Sequence, residues 1–202
     1  MRSAACGALA ALVMLGPGLG GGAAAQRRHR TGLWGELGAG AAHSRVTCST
    51  CTDVVRSSGS GGYIRIGGVL SDRVLLGVES AGFLDEAFGF TADDTSIVAE
   101  METITVVVLW FPWRSGVFLK GGTGVAQGRF TVPSGSAADT SKGTGIGMTL
   151  GLGLDWRVSR KFAVTANAAA FITGIGDVIL PAGRVDDVIA TTYHATIGVT
   201  IR

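Results

Sequence analysis

The sequence predicts an all-β chain, an eight-stranded antiparallel up-and-down transmembrane β-barrel. Three observations predict it. The first is residues 145–156, GIGMTLGLGLDW, where Ile146, Met148, Leu150, Leu152, Leu154 and Trp156 alternate with Gly145, Gly147, Thr149, Gly151, Gly153 and Asp155. A period of two is the period of a strand, because successive side chains point to opposite faces. One face is large and apolar, and the other is mostly glycine. Glycine weakens a strand unless the sheet curves tightly or something must approach closely. A narrow barrel with its apolar face turned out into lipid meets both conditions. The second observation is high hydropathy without a membrane helix. The chain is 47% hydrophobic and only 16% charged, with mean hydropathy +0.40. After the N-terminus, however, no stretch gives the roughly 18–20 uncharged apolar residues that a helical span needs. The nearest, residues 97–111, is too short and is interrupted by Glu100 and Glu102. The third observation is that connections alternate between short and long.

In chain order, residues 1–25 read as a secretory signal peptide. Arg2 precedes an apolar run, Gly16-Pro17-Gly18 breaks it, and Ala23-Ala24-Ala25 offers a cleavage site. Residues 26–31 follow as a flexible basic leader, and residues 32–202 form the barrel. Strand one is expected over 32–42, with Trp34, Glu36, Gly38 and Gly40 on one side. Strand two covers 62–71, where Ile64, Ile66 and Leu70 oppose Tyr63, Arg65, Gly67 and Val69. Strand three is 74–83, and strand four is 99–111, apolar on both faces so that its orientation stays open. Strand five is 116–126, strand six is 145–156, strand seven is 161–173 and strand eight is 191–202. Each segment is about ten residues, enough for a tilted strand to cross the hydrocarbon.

Asp72-Arg73, residues 112–115 and residues 157–160 make short connections. Residues 43–61, 84–98, 127–143 and 174–190 make long ones, rich in Gly, Ser, Thr and Asp. Short turns on the periplasmic side and long loops outside produce this alternation. An even strand count keeps both ends of the barrel in the periplasm, as export requires. Closure satisfies every ladder hydrogen bond, which lipid could not do for an open edge. Trp34, Trp110, Phe111, Trp113, Trp156 and Phe162 group at the expected periplasmic boundary, with Phe83 and Tyr193 near the outer one, as interfacial belts.

The signal peptide, the alternating strands with GLGLDW and the terminal strand YHATIGVTIR together resemble the small eight-stranded outer-membrane barrel families, OmpA-like, OmpX-like and OmpW-like. The resemblance spans about residues 26–202 and lies in pattern. In those families the last strand ends in an aromatic residue, whereas this one ends Ile201-Arg202. The resemblance implies outer-membrane localisation in a Gram-negative-type bacterium. It also implies contact with outer-membrane lipid and lipopolysaccharide, insertion by the barrel-assembly machinery, and an extracellular ligand met through the loops.

Glu36, Arg65, Glu79, Glu102, Lys120, Asp155 and His194 fall on the expected inward face. Charges in a narrow low-dielectric interior must pair, so a structural salt-bridge network is preferred to a gate or narrow conduction path. Cys48 and Cys51 lie in the first long connection, where an oxidising compartment favours a loop disulfide. No βαβ pattern supports a redox CxxC. The candidates for a lipid-modifying enzyme are His43-Ser44, residues 93–96 and His194, and no spacing among them matches a catalytic signature. The net charge of +2 is too small for nucleic acid. No cofactor is indicated. The function expected is structural or interactive, a membrane anchor presenting loops, with a narrow channel as the alternative.

Overall fold

The structure is a computed structural model that describes residues 32–49, 54–89, 96–134, 137–180 and 183–202. The expected signal peptide and leader lie outside these residues. Eight strands close into one barrel in chain order. They are β1 Leu33–Thr47, β2 Val55–Ser71, β3 Val74–Gly89, β4 Ser96–Trp110, β5 Val117–Ser134, β6 Ala137–Arg157, β7 Phe162–Leu180 and β8 Gly183–Ile201. Every neighbouring pair is antiparallel, and β1 closes the ring on β8. From Ala39, the row of paired residues reaches Thr144 on β6 through β2 to β5, and Leu154 on β6 through β8 and β7. The ring therefore closes with a stagger of ten residues on β6, which requires tilted strands.

The polarity is inverted relative to a water-soluble sheet. Along β6, Ile146, Met148, Leu150, Leu152, Leu154 and Trp156 face outward, with Trp156 71% exposed. The same holds on β8, where Ile197 is 70% exposed while Thr196 and Thr200 are buried. β4 takes a definite orientation: Ile104, Val106 and Val108 point out, and Thr103, Thr105 and Val107 point in. Among the described residues no helix is long and apolar enough to cross a membrane.

The short connections at one end match expectation. Gly116 holds φ +89 there, and a Cβ on it would meet the Asp155 carbonyl oxygen at 2.3 Å, so the turn needs glycine. At the opposite end the expected long connections are mostly strand. β5 and β6 pair as far as Ser134↔Ala137, and β7 and β8 as far as Leu180↔Gly183. Composition there suggests loops because the lipid-facing apolar pattern ends. The period of two nevertheless persists with polar outward residues, as in β1, where His43 and Arg45 face out while Ala42, Ser44 and Val46 face in. The ladder goes on satisfying the backbone in water as it does in lipid.

Not every ladder extends that far. β2·β3 pairing ends at Ser60↔Leu84, although β1·β2 continues to Val46↔Val55 and β3·β4 to Gly89↔Ser96. β6·β7 pairing likewise begins only at Ile146↔Gly174. The loop-side rim thus divides into two four-stranded lips, β7·β8·β1·β2 and β3·β4·β5·β6. Register shifts around Gly176, which has φ +73, bend β7 and β8 at one of the two seams.

Candidate functional site

The lumen is the densest collection of functional groups, and strand parity builds it. Even positions of β1, β5 and β8 and odd positions of β2, β3 and β7 project inward. Glu36, Arg65, Glu79 and Lys120 therefore converge from four strands, and all four are buried. Arg65 Nε donates to Glu79 Oε2 at 2.6 Å, and Arg65 Nη1 donates to Glu36 Oε2 at 3.3 Å. Lys120 Nζ donates to both Glu79 oxygens, at 2.8 and 2.9 Å. Tyr63 donates its hydroxyl to Glu36 and lies under the Arg65 guanidinium, 4.4 Å from its carbon to the ring centroid. Two carboxylates and two cations give a neutral set, which is the condition under which buried charges persist.

Asp155 lies nearer the turn end in a separate cluster. It accepts from Thr165 Oγ1 at 2.9 Å and pairs with Arg202, and Thr165 shares a 2.7 Å hydrogen bond with Thr200. His194 stacks against Phe171 at 4.7 Å between centroids and makes no ion pair among the described residues.

Apolar clusters lie at either end of the charged layer. Trp34, Leu75, Val107, Leu109, Phe111 and Phe118 fill the turn end. Ala42, Val46, Phe83, Met101, Ile175, Val188 and Ala190 fill the loop end. Glycine makes the first of these fit. A Cβ on Gly153 would meet Phe118 Cζ at 2.3 Å and the Ala166 carbonyl oxygen at 2.7 Å. Gly153→Val is expected to displace that ring and destabilise the barrel by about 1–3 kcal/mol, read as a lower urea midpoint in detergent. An unchanged midpoint would show that the ring has room to turn away.

Three sequence expectations need correction. Glu102 lies on the outer face, beside the exposed Ile104, and accepts a 3.4 Å hydrogen bond from Ser80. The reason is parity: β4 turns its odd positions inward, which the two apolar faces of that strand left open. Trp34, Phe83 and Phe111 are buried in the lumen and do not form belts, because they share parity with inward residues. Trp110, Trp113, Trp156, Phe162 and Tyr193 are exposed, as belt residues must be. The third correction is the length of the loop-side strands described above. Cys48 is disulfide-bonded, while Cys51 lies outside the described residues.

The enzyme candidates do not assemble. His43 faces outward, bonded through Nδ1 to Ser58 Oγ at 3.0 Å, whereas Ser44 faces inward to Thr192 at 3.2 Å. His194 is mid-lumen, and the side chains of 93–96 lie outside the described residues. Residues that the sequence reading missed are Tyr63 and Arg202. Tyr63 was visible as the inward neighbour of Arg65 in the alternation. Arg202 was visible in the same way, as the even position that follows the inward Thr200 in strand eight.

An apolar exterior, a closed ladder and a polar interior whose buried Glu36, Arg65, Glu79 and Lys120 pair with one another define a transmembrane β-barrel. Its architecture is that of small outer-membrane barrels. The fold is similar to Neisserial surface protein A, at TM-score 0.55 and 18% identity, covering 86% of this chain and 98% of that one. It is also similar to the attachment invasion locus protein Ail of Yersinia pestis, at TM-score 0.54 and 15% identity over 83% and 97% of the two chains. OprG of Pseudomonas aeruginosa follows at TM-score 0.51 and 14% identity over 85% and 97%. No family model and no curated protein matches the sequence. The chain is an eight-stranded barrel of the outer-membrane type.

Proposed function

We propose that this outer-membrane-type barrel is a non-conducting anchor that carries its two loop-side lips outside the membrane as an interaction surface. The observation that carries the reading is the filled lumen, with apolar clusters at both ends of a neutral ion network. Eight strands leave an interior that side chains alone can fill, and the described inward side chains set an apolar cluster on either side of the ion network. Ions would have to cross the cluster of Trp34, Phe111 and Phe118 and then that of Phe83, Met101 and Ile175. The partners this reading implies are outer-membrane lipid and lipopolysaccharide along the wall, the assembly machinery during insertion, and an extracellular ligand at the rim. The separation of His43, Ser44 and His194 speaks against a lipid-modifying enzyme.

Reconstitution into a planar bilayer tests the reading. The folded protein is expected to leave the membrane at baseline conductance. Discrete steps of conductance, lost on boiling the sample, would replace the anchor with the narrow channel.

A further inference from the structure

We propose that Arg45 on β1 and Arg56 on β2 form a clamp on the outer wall for the phosphate of a membrane lipid whose headgroup carries net negative charge. The proposal rests on the reading that the barrel sits in a membrane.

Arg45 and Arg56 are register partners, and both are exposed on the outer face. Directly opposed residues of an antiparallel pair have Cβ atoms about 4.5–5.5 Å apart, and like charges in that position destabilise the sheet. The described outward neighbours offer no carboxylate. They are His43 and Thr47 along β1, Val54 and Ser58 on either side of Arg56, and Thr191 and Tyr193 across on β8. A second cationic pair, Arg129↔Lys142, differs in this respect, since Arg129 holds Glu100 at 3.0 Å. Two guanidiniums side by side offer forked donors to one tetrahedral oxyanion, which converts the repulsion into bidentate recognition.

Height selects a lipid as the source of the phosphate. Tyr193 pairs with His43 and is 53% exposed, at the position of an interfacial aromatic. Arg45 stands two residues farther from the apolar wall, about 6.5 Å along the strand. Below lie the outward Leu37, Ile64 and Ile197. A lipid whose acyl chains lie on that wall carries its phosphate at the level of the two arginines. The apolar contact raises the effective concentration of the anion, and free phosphate lacks that contact.

The test uses the full barrel, folded in neutral detergent and titrated with phosphatidic acid, phosphatidylcholine or inorganic phosphate, with adducts counted by native mass spectrometry. Wild type should bind phosphatidic acid about tenfold or more tightly than the R45Q/R56Q double variant, while R129Q/K142Q should match wild type. Inorganic phosphate should bind far more weakly than the lipid. Equal retention of phosphatidic acid by R45Q/R56Q would overturn the clamp, as would wild-type affinity for phosphatidylcholine equal to that for phosphatidic acid. Inorganic phosphate binding as tightly as the lipid would overturn the lipid source. A second readout follows from the repulsion. R56Q alone should raise the melting temperature in phosphatidylcholine micelles and lower it relative to wild type once phosphatidic acid is added; a shift of the same sign in both would overturn the proposal. Heat-dependent gel mobility of the wild type is checked first, and its absence would remove the membrane reading itself.

Discussion

Glu79→Gln is expected to leave no SDS-resistant folded band on an unboiled gel. Among the described residues, Glu79 is the only carboxylate bonded to Lys120 and one of two bonded to Arg65. Its neutral isostere keeps the shape and removes the charge, so two buried cations face Glu36 alone. Breaking a buried pair in this way costs about 3–5 kcal/mol, a large part of the roughly 5–15 kcal/mol that holds a folded domain together. Restoring neutrality should restore much of the loss. Lys120→Met added to Glu79→Gln leaves the Glu36–Arg65 pair balanced, so the double variant should be more stable than Glu79→Gln alone. The coupling energy comes from urea midpoints of the four proteins in one detergent. Additive losses would mean that Glu79 and Lys120 do not act as a pair.

Leu150→Arg tests the opposite face and should be nearly as damaging. Leu150 is 56% exposed, near the middle of the outward apolar row of β6 that runs from Ile146 to Trp156. In a water-soluble protein an exposed leucine replaced by arginine would change stability little. On a lipid-facing strand an arginine near the midplane costs about 2–4 kcal/mol, falling to about 0–1 near the interface. The barrel should therefore fold poorly into phospholipid vesicles, while Thr144→Arg, close to the polar end of the same strand, should fold as the wild type does. Equal folding of the two variants would place water against the middle of this wall.

The inversion of polarity was legible in residues 145–156, because a strand with bulky apolar residues on one face and glycine on the other has few soluble solutions. Periodicity also assigned Glu36, Arg65, Glu79, Lys120, Asp155 and His194 to the side that the structure turns inward. It failed at Glu102, since both faces of β4 are apolar and the choice of face depends on pairing with β3 and β5. It failed again at the rim, where polar composition reads as loop although the hydrogen-bond ladder continues, and where the two seams depend on which ladders stop first.

The sequence by itself determined the architecture of this protein. Strand number, turn positions and the direction of its apolar face are local and periodic properties, carried by neighbours along the chain. Only the tertiary structure decided which charges meet. Glu36, Arg65, Glu79 and Lys120 come from four strands, and their union depends on the stagger with which the barrel closes. Arg45 opposite Arg56, and Phe118 over Gly153, are likewise set by register between strands. Register arises from packing the whole ring at once, and no single segment contains it.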